Sequence, residues 1–330
     1  MLSRVLVSLA VLAASGLAMA QEPKPVAGAE GLGFDPYDQS KVPLEVEPPA
    51  GFIGKKIVLV AGSKSHGPGD HEFFAGTAIL MNLLKQTPGV WPVMVRDGWP
   101  KNDKVFDGAA AVLFYMDGRG GHPVVKNDRL AFLQKSIDKG CGWVNLHYAV
   151  DYEPKDGATV VNWMGGFYDP RTSINPHWVA DIRSLPKHPI AQGVKPFSIK
   201  DEWYFNMHWI GDVTAVAEAK GVTPILQAVP PDYLRGTPDA KKYSGRLETM
   251  AWAYDRKDGG RAFGFTGGHN HKNWGDENFR RVVVNAILWS AKVAVPEGGA
   301  KVDFDAIDLN RNLDQKGQPF KKILPPTAEK

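Results

Sequence analysis

The sequence predicts an α/β fold, with a doubly wound, mostly parallel sheet forming a single domain that carries a long loop-rich insertion. Three observations lead there. Short apolar runs alternate with stretches of helical spacing, the rhythm of βα units. The run from Ala109 to Met116 is continuously apolar, as expected of a strand covered on both faces. Three other runs end in glycine-flanked, histidine-bearing segments. Lys56 to Gly62 leads to His66 and His71, Gly142 to Leu146 leads to His147, and Arg261 to Gly268 leads to His269 and His271. In an open parallel sheet the carboxyl ends of the strands share one edge, and ligands bind in the crevice there. Five of the nine histidines are therefore expected to converge on one site.

The chain opens with an export pattern. Arg4 is a minimal positive region, Val5 to Leu17 is apolar, and Ala18-Met19-Ala20 is a cleavage site before Gln21. The apolar stretch is shorter than the ~20 residues a membrane span requires, and no later segment is long and apolar enough. The expected location is periplasmic or secreted, with residues 1–20 removed. Residues 21–50, rich in Pro, Gly and acidic side chains, read as a linker or extended arm. The globular domain is expected over 51–294.

Within it, Phe73, Phe74, Thr77, Leu80, Met81 and Leu84 sit at helical spacing between Glu72 and Gln86. Val90 to Val95 reads as a second strand and Ala109 to Met116 as a third. Asp128 is placed to cap a helix with Leu130, Leu133 and Ile137 on its apolar face, and Gly140 to end it. The strand before His147 follows. From Asp151 to Tyr243 the rhythm breaks into short strand-like pieces (Trp178 to Ile182, Pro224 to Val229) among polar and aromatic loops, the insertion that shapes the site. Regularity returns with Glu248 to Ala253, the Arg261 strand, and a helix from about Asp276 to Lys292 that buries Phe279, Val282, Val283, Ala286, Ile287 and Trp289. Residues 295–330 read as an extended tail draped over the surface.

A formal net charge of +3 with no dense Lys/Arg stripe argues against nucleic acid as a partner. The single cysteine, Cys141, excludes an intrachain disulfide and, at the start of a strand, reads as a buried small apolar residue.

His147 ends its strand where a sharp turn would present one side chain, and an imidazole there suits acid/base chemistry or metal ligation. His269 follows Thr266-Gly267-Gly268, where glycine allows close approach to a ligand. In an extended segment His269 and His271 point to opposite sides, so His269 is favoured for the site. His66 and His71 flank Gly67-Pro68-Gly69-Asp70 before a helix start that suits an anionic or hydroxyl-rich ligand, or simple capping by Asp70. Asp201 to Phe205, with His208 and Trp209, is the densest aromatic and acidic cluster. There Glu202 is a candidate acid/base, and Trp203 and Tyr204 are candidates to stack on sugar rings or to pack in the core. Trp274 extends that candidate wall. His147, His269 and Glu202 are thus the expected catalytic groups, and His66, His71, Trp203, Tyr204, His271 and Trp274 the expected substrate contacts. A zinc-like divalent metal is a further option, with His66, His147 and His269 as its candidate ligands. Arg256, in a polar turn, reads as solvated.

Together these segments resemble the trehalose-utilisation (ThuA-like) family. The segments are the opening strand with His66, Cys141 to Ala149, Asp201 to Tyr204, Met250 to Trp252, Gly260 to His269, and Phe279-Arg280-Arg281 with its helix. The resemblance implies a flavodoxin-type sheet like that of class I glutamine amidotransferases, and a place in the breakdown of disaccharides, glycosides or 3-keto sugars. His147 stands where those amidotransferases carry their cysteine, so glutamine hydrolysis is not expected. Two functions follow: an exported enzyme acting on a small-molecule carbohydrate by His/Glu acid-base chemistry, metal-assisted or not, and a non-catalytic periplasmic sugar-binding module.

Overall fold

The computed structural model describes residues 26–327, and the expected export signal lies outside the described residues. The elements of the central sheet fall where the apolar runs place them: β1 (Lys55–Ala61), α1 (Phe73–Leu84), β2 (Val90–Val95), β3 (Ala109–Tyr115), α2 (Arg129–Ile137) and β4 (Gly142–Leu146). The insertion adds α3 (Pro154–Met164), β5 (Gly166–Phe167), β6 (His177–Ile182), β7 (Phe197–Glu202) and β8 (His208–Trp209). Then come β9 (Val222–Ala228), α4 (Pro238–Lys241), β10 (Glu248–Asp255), β11 (Arg261–Phe265) and α5 (Glu277–Ser290).

Seven strands form one sheet in the order β2-β1-β3-β4-β11-β10-β9. The first five are parallel to one another. β10 and β9 close the far edge antiparallel. The fold is a single α/β domain with a mostly parallel sheet, and its parallel strands end at one edge, where the site lies.

Apolar side chains fill both faces. α1 and α5 pack with Ile57, Leu59, Leu113 and Phe263 on one side, while α2 and α3 pack with Val58, Val60, Phe114 and Trp143 on the other. The near-continuous apolar content of β1, β3 and β4 follows from this double coverage. The insertion forms two small antiparallel pairs, β6 with β7 and β5 with β8. β7 matters most, because its last residue, Glu202, reaches the site.

Several local expectations require correction. α3 occupies a stretch read as loop; its punctuation, Pro154 in the first turn and left-handed Gly165 just past the end, is the signal that marks it. Asp70 does not cap α1, whose first turn is preceded by Glu72 and has no side-chain cap. Asp128 precedes α2 without capping it through its side chain. Arg256 is buried rather than solvated, donating to the carbonyls of Ile137 and Cys141 and pairing with Asp258. Cys141 is buried as expected, and burial pushes its thiol up to about 12.

Both flanking segments are tied into the domain. In the arm, Leu44 bridges Met94 beside β2, and Glu45 N donates to the Met94 carbonyl at 2.8 Å. In the tail, Leu309, Leu313 and Phe320 are buried, so this segment is packed and not merely draped.

Candidate functional site

Three site histidines occupy backbone that non-glycine residues seldom adopt: φ is +57° at His66, +47° at His71 and +54° at His147. Such strain persists only where surrounding contacts impose it, and it clusters at functional sites. At His147 the cause is the abrupt turn from β4 into a short 3-10 turn, which swings the ring over the strand ends. At His71 it is an antiparallel clasp, in which His71 N donates to the His269 carbonyl (2.9 Å) and His271 N donates to the Gly69 carbonyl (2.8 Å).

The His269 segment is held by Asp201. Its buried carboxylate accepts from Gly268 N (2.7 Å), His269 N (3.1 Å), Asn270 N (3.2 Å) and Asn273 Nδ2 (3.0 Å). Glycine at 267 is needed for this approach, since a Cβ there would lie 2.5 Å from the Trp203 ring.

Three imidazoles and one carboxylate meet at the centre. His71 Nε2 lies 3.0 Å from His147 Nε2 and 3.0 Å from His269 Nδ1. Glu202 Oε2 lies 3.0 Å from His269 Nδ1 and 3.4 Å from His147 Nε2. The Tyr204 hydroxyl, fully buried, is 3.3 Å from His147 Nε2 and 3.4 Å from Glu202 Oε2. The other Glu202 oxygen accepts from Asn175 Nδ2 at 2.9 Å.

Partners on the far side of each ring assign the tautomers. His147 Nδ1 is 2.9 Å from the Thr266 carbonyl, which can only accept, so Nδ1 carries a proton and, in the neutral ring, Nε2 a lone pair. His71 Nδ1 faces the Asp117 carboxylate at 3.0 Å, and its Nε2 is likewise a lone pair. Burial lowers the His71 ring to about 3, so it is neutral at physiological pH. His269 differs. Burial opposes its charge, but Asp70 (3.6 Å from Nε2) and Glu202 outweigh burial and lift it to about 9. Glu202 shows the converse: burial raises it, yet His147 and His269 hold it well below the usual carboxylate range.

A protonated His269 can donate to Glu202 or His71, and Tyr204 can donate to His147. The 3.0 Å contact between His71 Nε2 and His147 Nε2 calls for either a shared proton or a cation between the two rings. Three imidazoles with one carboxylate match a zinc-like donor set, and in a tetrahedral site of that kind neighbouring donors lie roughly 3.3 Å apart.

Of the expected site residues, His147, His269, Glu202 and Tyr204 meet at this centre, and His71 joins them. In the cluster of four candidate ligands His71 stands where His66 was expected, while His66 falls in a second group with His71 and Asp117. His66 is exposed and stacks on the His71 ring at 3.6 Å, within reach of Asp117 at the outer edge. Trp203 is fully buried, packs against Phe265 and Phe279, and donates to the Ile199 carbonyl, so it lies in the core and not on the crevice wall. Trp274 is also core, between Tyr115 and Phe279. His271 is fully buried and takes no part in the centre.

Asp117 was missed, although it stands just past the end of β3 and so obeys the same strand-end rule that singled out His147.

The profile of the trehalose-utilisation family, ThuA, matches residues 58–290. The chain belongs to the ThuA family. That description ties it to carbohydrate metabolism. No curated protein matches it significantly. Among solved structures, a ThuA-like protein of Bacteroides uniformis is similar at 16% identity and a TM-score of 0.50, over 74% of this chain and 94% of that one. One from Parabacteroides merdae is similar at 15% identity and 0.50, over 78% and 99%. At such identities the likeness concerns the fold alone. The matched family segment contains every residue of the centre, from His71 to His269, but neither the arm nor the tail.

Proposed function

We propose that this ThuA-family protein is an exported enzyme acting on a disaccharide, glycoside or 3-keto sugar at a divalent, zinc-like metal centre formed by His71, His147, His269 and Glu202. One observation carries the reading: three imidazole nitrogens and a carboxylate oxygen lie within 4.8 Å of one another, four of their contacts at 3.0–3.4 Å, and outer acceptors at Nδ1 of His71 and His147 leave each ring's Nε2 facing the centre. Such an ion supplies Lewis acidity toward a carbonyl or hydroxyl oxygen and lowers the pKa of bound water.

The chain's own residues supply the rest. Asp117 and the Thr266 carbonyl fix the direction of the His71 and His147 rings. Tyr204 offers a proton beside Glu202 and His147. Asp70, 40% exposed at its side chain, lies on the solvent side of His269 and can take a proton from it. His66 and Asn175 stand at the exposed margin, where they can hydrogen-bond sugar hydroxyls. Imidazole is a costly choice for a module that only binds sugar, for which carboxylates, amides and aromatic faces suffice. The aromatic residues expected to stack on a ring, Trp203 and Trp274, are both buried.

The test is metal analysis of protein purified without chelator, followed by turnover assays on disaccharides and their 3-keto derivatives. One bound ion per chain and metal-dependent turnover are expected. Protein that takes up no divalent ion on reconstitution refutes the centre, and sugar binding without turnover makes it a binding module. Export is read separately: amino-terminal sequencing of native protein should begin at Gln21, and an intact Met1 would refute it.

A further inference from the structure

The loop from Gly67 to Glu72, between β1 and α1, turns through the left-handed region at Gly69 (φ +84°) and at His71 itself (φ +47°). Three of its carbonyls, those of Gly67 (3.2 Å), Asp70 and His71 (3.3 Å), converge on one ammonium, Lys316 Nζ. The same nitrogen lies 3.2 Å from Glu72 Oε1, and the two side chains are 2% and 1% exposed. Lysine is almost never this buried without a partner. Here the partner is Glu72, and the remaining donors go to the backbone that aims a ring of the centre.

Lys316 belongs to the tail, beyond the segment that matches the family. The tail is itself anchored. Asp314 N donates to Glu72 Oε2 (2.9 Å), and Gln39 Nε2 in the arm donates to the carbonyls of Asn312 and Leu313 and to Asp314 Oδ1. Leu313 and Phe320 are buried with Ala29 and Ala75. The path from arm to tail to loop thus ends on His71, whose backbone carbonyl is held by Lys316, backbone N–H by His269, and ring Nδ1 by Asp117.

We infer that Lys316 is a positioning residue for the metal centre: the tail delivers an ammonium that sets the backbone of the His71 loop and thereby the direction of His71 Nε2. This rests on the metal reading above. It makes ion affinity depend on a segment that touches no ligand atom.

The test uses the full chain, with Co²⁺ as a coloured probe. K316M strands the buried Glu72 carboxylate and risks misfolding, so E72Q/K316M is made beside it, with K322M in the exposed part of the tail as a control. Wild type and K322M should bind one Co²⁺ with the same visible spectrum. E72Q/K316M, folded by circular dichroism, should bind roughly tenfold or more weakly, the effect of losing an outer-shell support, with a shifted spectrum and faster amide exchange over residues 66–72. A folded double variant with wild-type affinity, spectrum and exchange overturns the inference. So does failure of both variants to fold, because Lys316 would then serve the fold as a whole. If wild type binds no metal, the centre proposed above fails; exchange then decides alone, with faster exchange supporting the positioning role and unchanged exchange overturning it.

Discussion

Replacing Asp117 by asparagine isolates one contact of the proposed metal centre without touching a ligand. Asp117 Oδ1 sits 3.0 Å from His71 Nδ1, and its side chain is 38% exposed. Asparagine is isosteric, so the loop after β3 keeps its packing and only the charge of the acceptor is lost. A hydrogen bond to a charged group contributes about 1.5–3 kcal/mol net and a neutral one about 0.5–1.5, so the exchange costs on the order of 1 kcal/mol. Partial exposure pulls this toward the lower end. If the amide oxygen faces His71, zinc affinity should therefore fall about two- to fivefold. If the amide NH₂ faces it instead, Nδ1 must accept, the proton moves to Nε2, and a ligand atom is blocked; the loss then exceeds tenfold. The assay is competition for Zn²⁺ against a chromophoric chelator, with the melting temperature of the metal-free protein recorded alongside. Unchanged affinity in the folded variant refutes the orienting role of Asp117. A large drop in the melting temperature of the metal-free protein would show that the contact serves folding instead.

Other outcomes follow from the same geometry. His147→Gln should lower turnover by ~10²–10⁴-fold and lose bound metal as well; full activity on the true substrate would remove His147 from the chemistry. Trp203→Ala should destabilise the protein by ~3–5 kcal/mol in denaturant titration, because the ring is fully buried against Phe265 and Phe279, and a cost under ~1 kcal/mol would contradict core packing. His122, stacked on Tyr152 and fully buried, has its ring lowered to about 3 by burial. The unfolded chain therefore binds a proton that the folded one excludes, so stability is lost as pH falls below ~6.5. This group contributes about 2 kcal/mol of that loss between pH 7 and 5. His122→Gln should flatten the acid limb of the stability profile, and an unchanged slope would exclude the assignment.

Local pattern was enough for the frame of this protein. Period, length and strand-end glycines placed β1 to β4, β11, α1 and α5 nearly to the residue, because a strand covered on both faces must be apolar throughout and a helix must show its buried stripe. The same logic named His147 and His269, since the end of a parallel strand is where a ligand crevice opens. What pattern could not convey was direction. Whether Trp203 faces the crevice or the core, and whether His66 or His71 turns inward, depends on backbone angles imposed from far along the chain: by Asp201 gathering the amides of residues 268 to 270, and by Lys316 gathering the carbonyls of residues 67, 70 and 71. Asp117 and Lys316 read as ordinary surface residues until the fold closes, 46 residues from His71 in one case and 245 in the other. Burial and charge pairing are properties of the assembled tertiary structure, and the local spacing of residues carries no record of them.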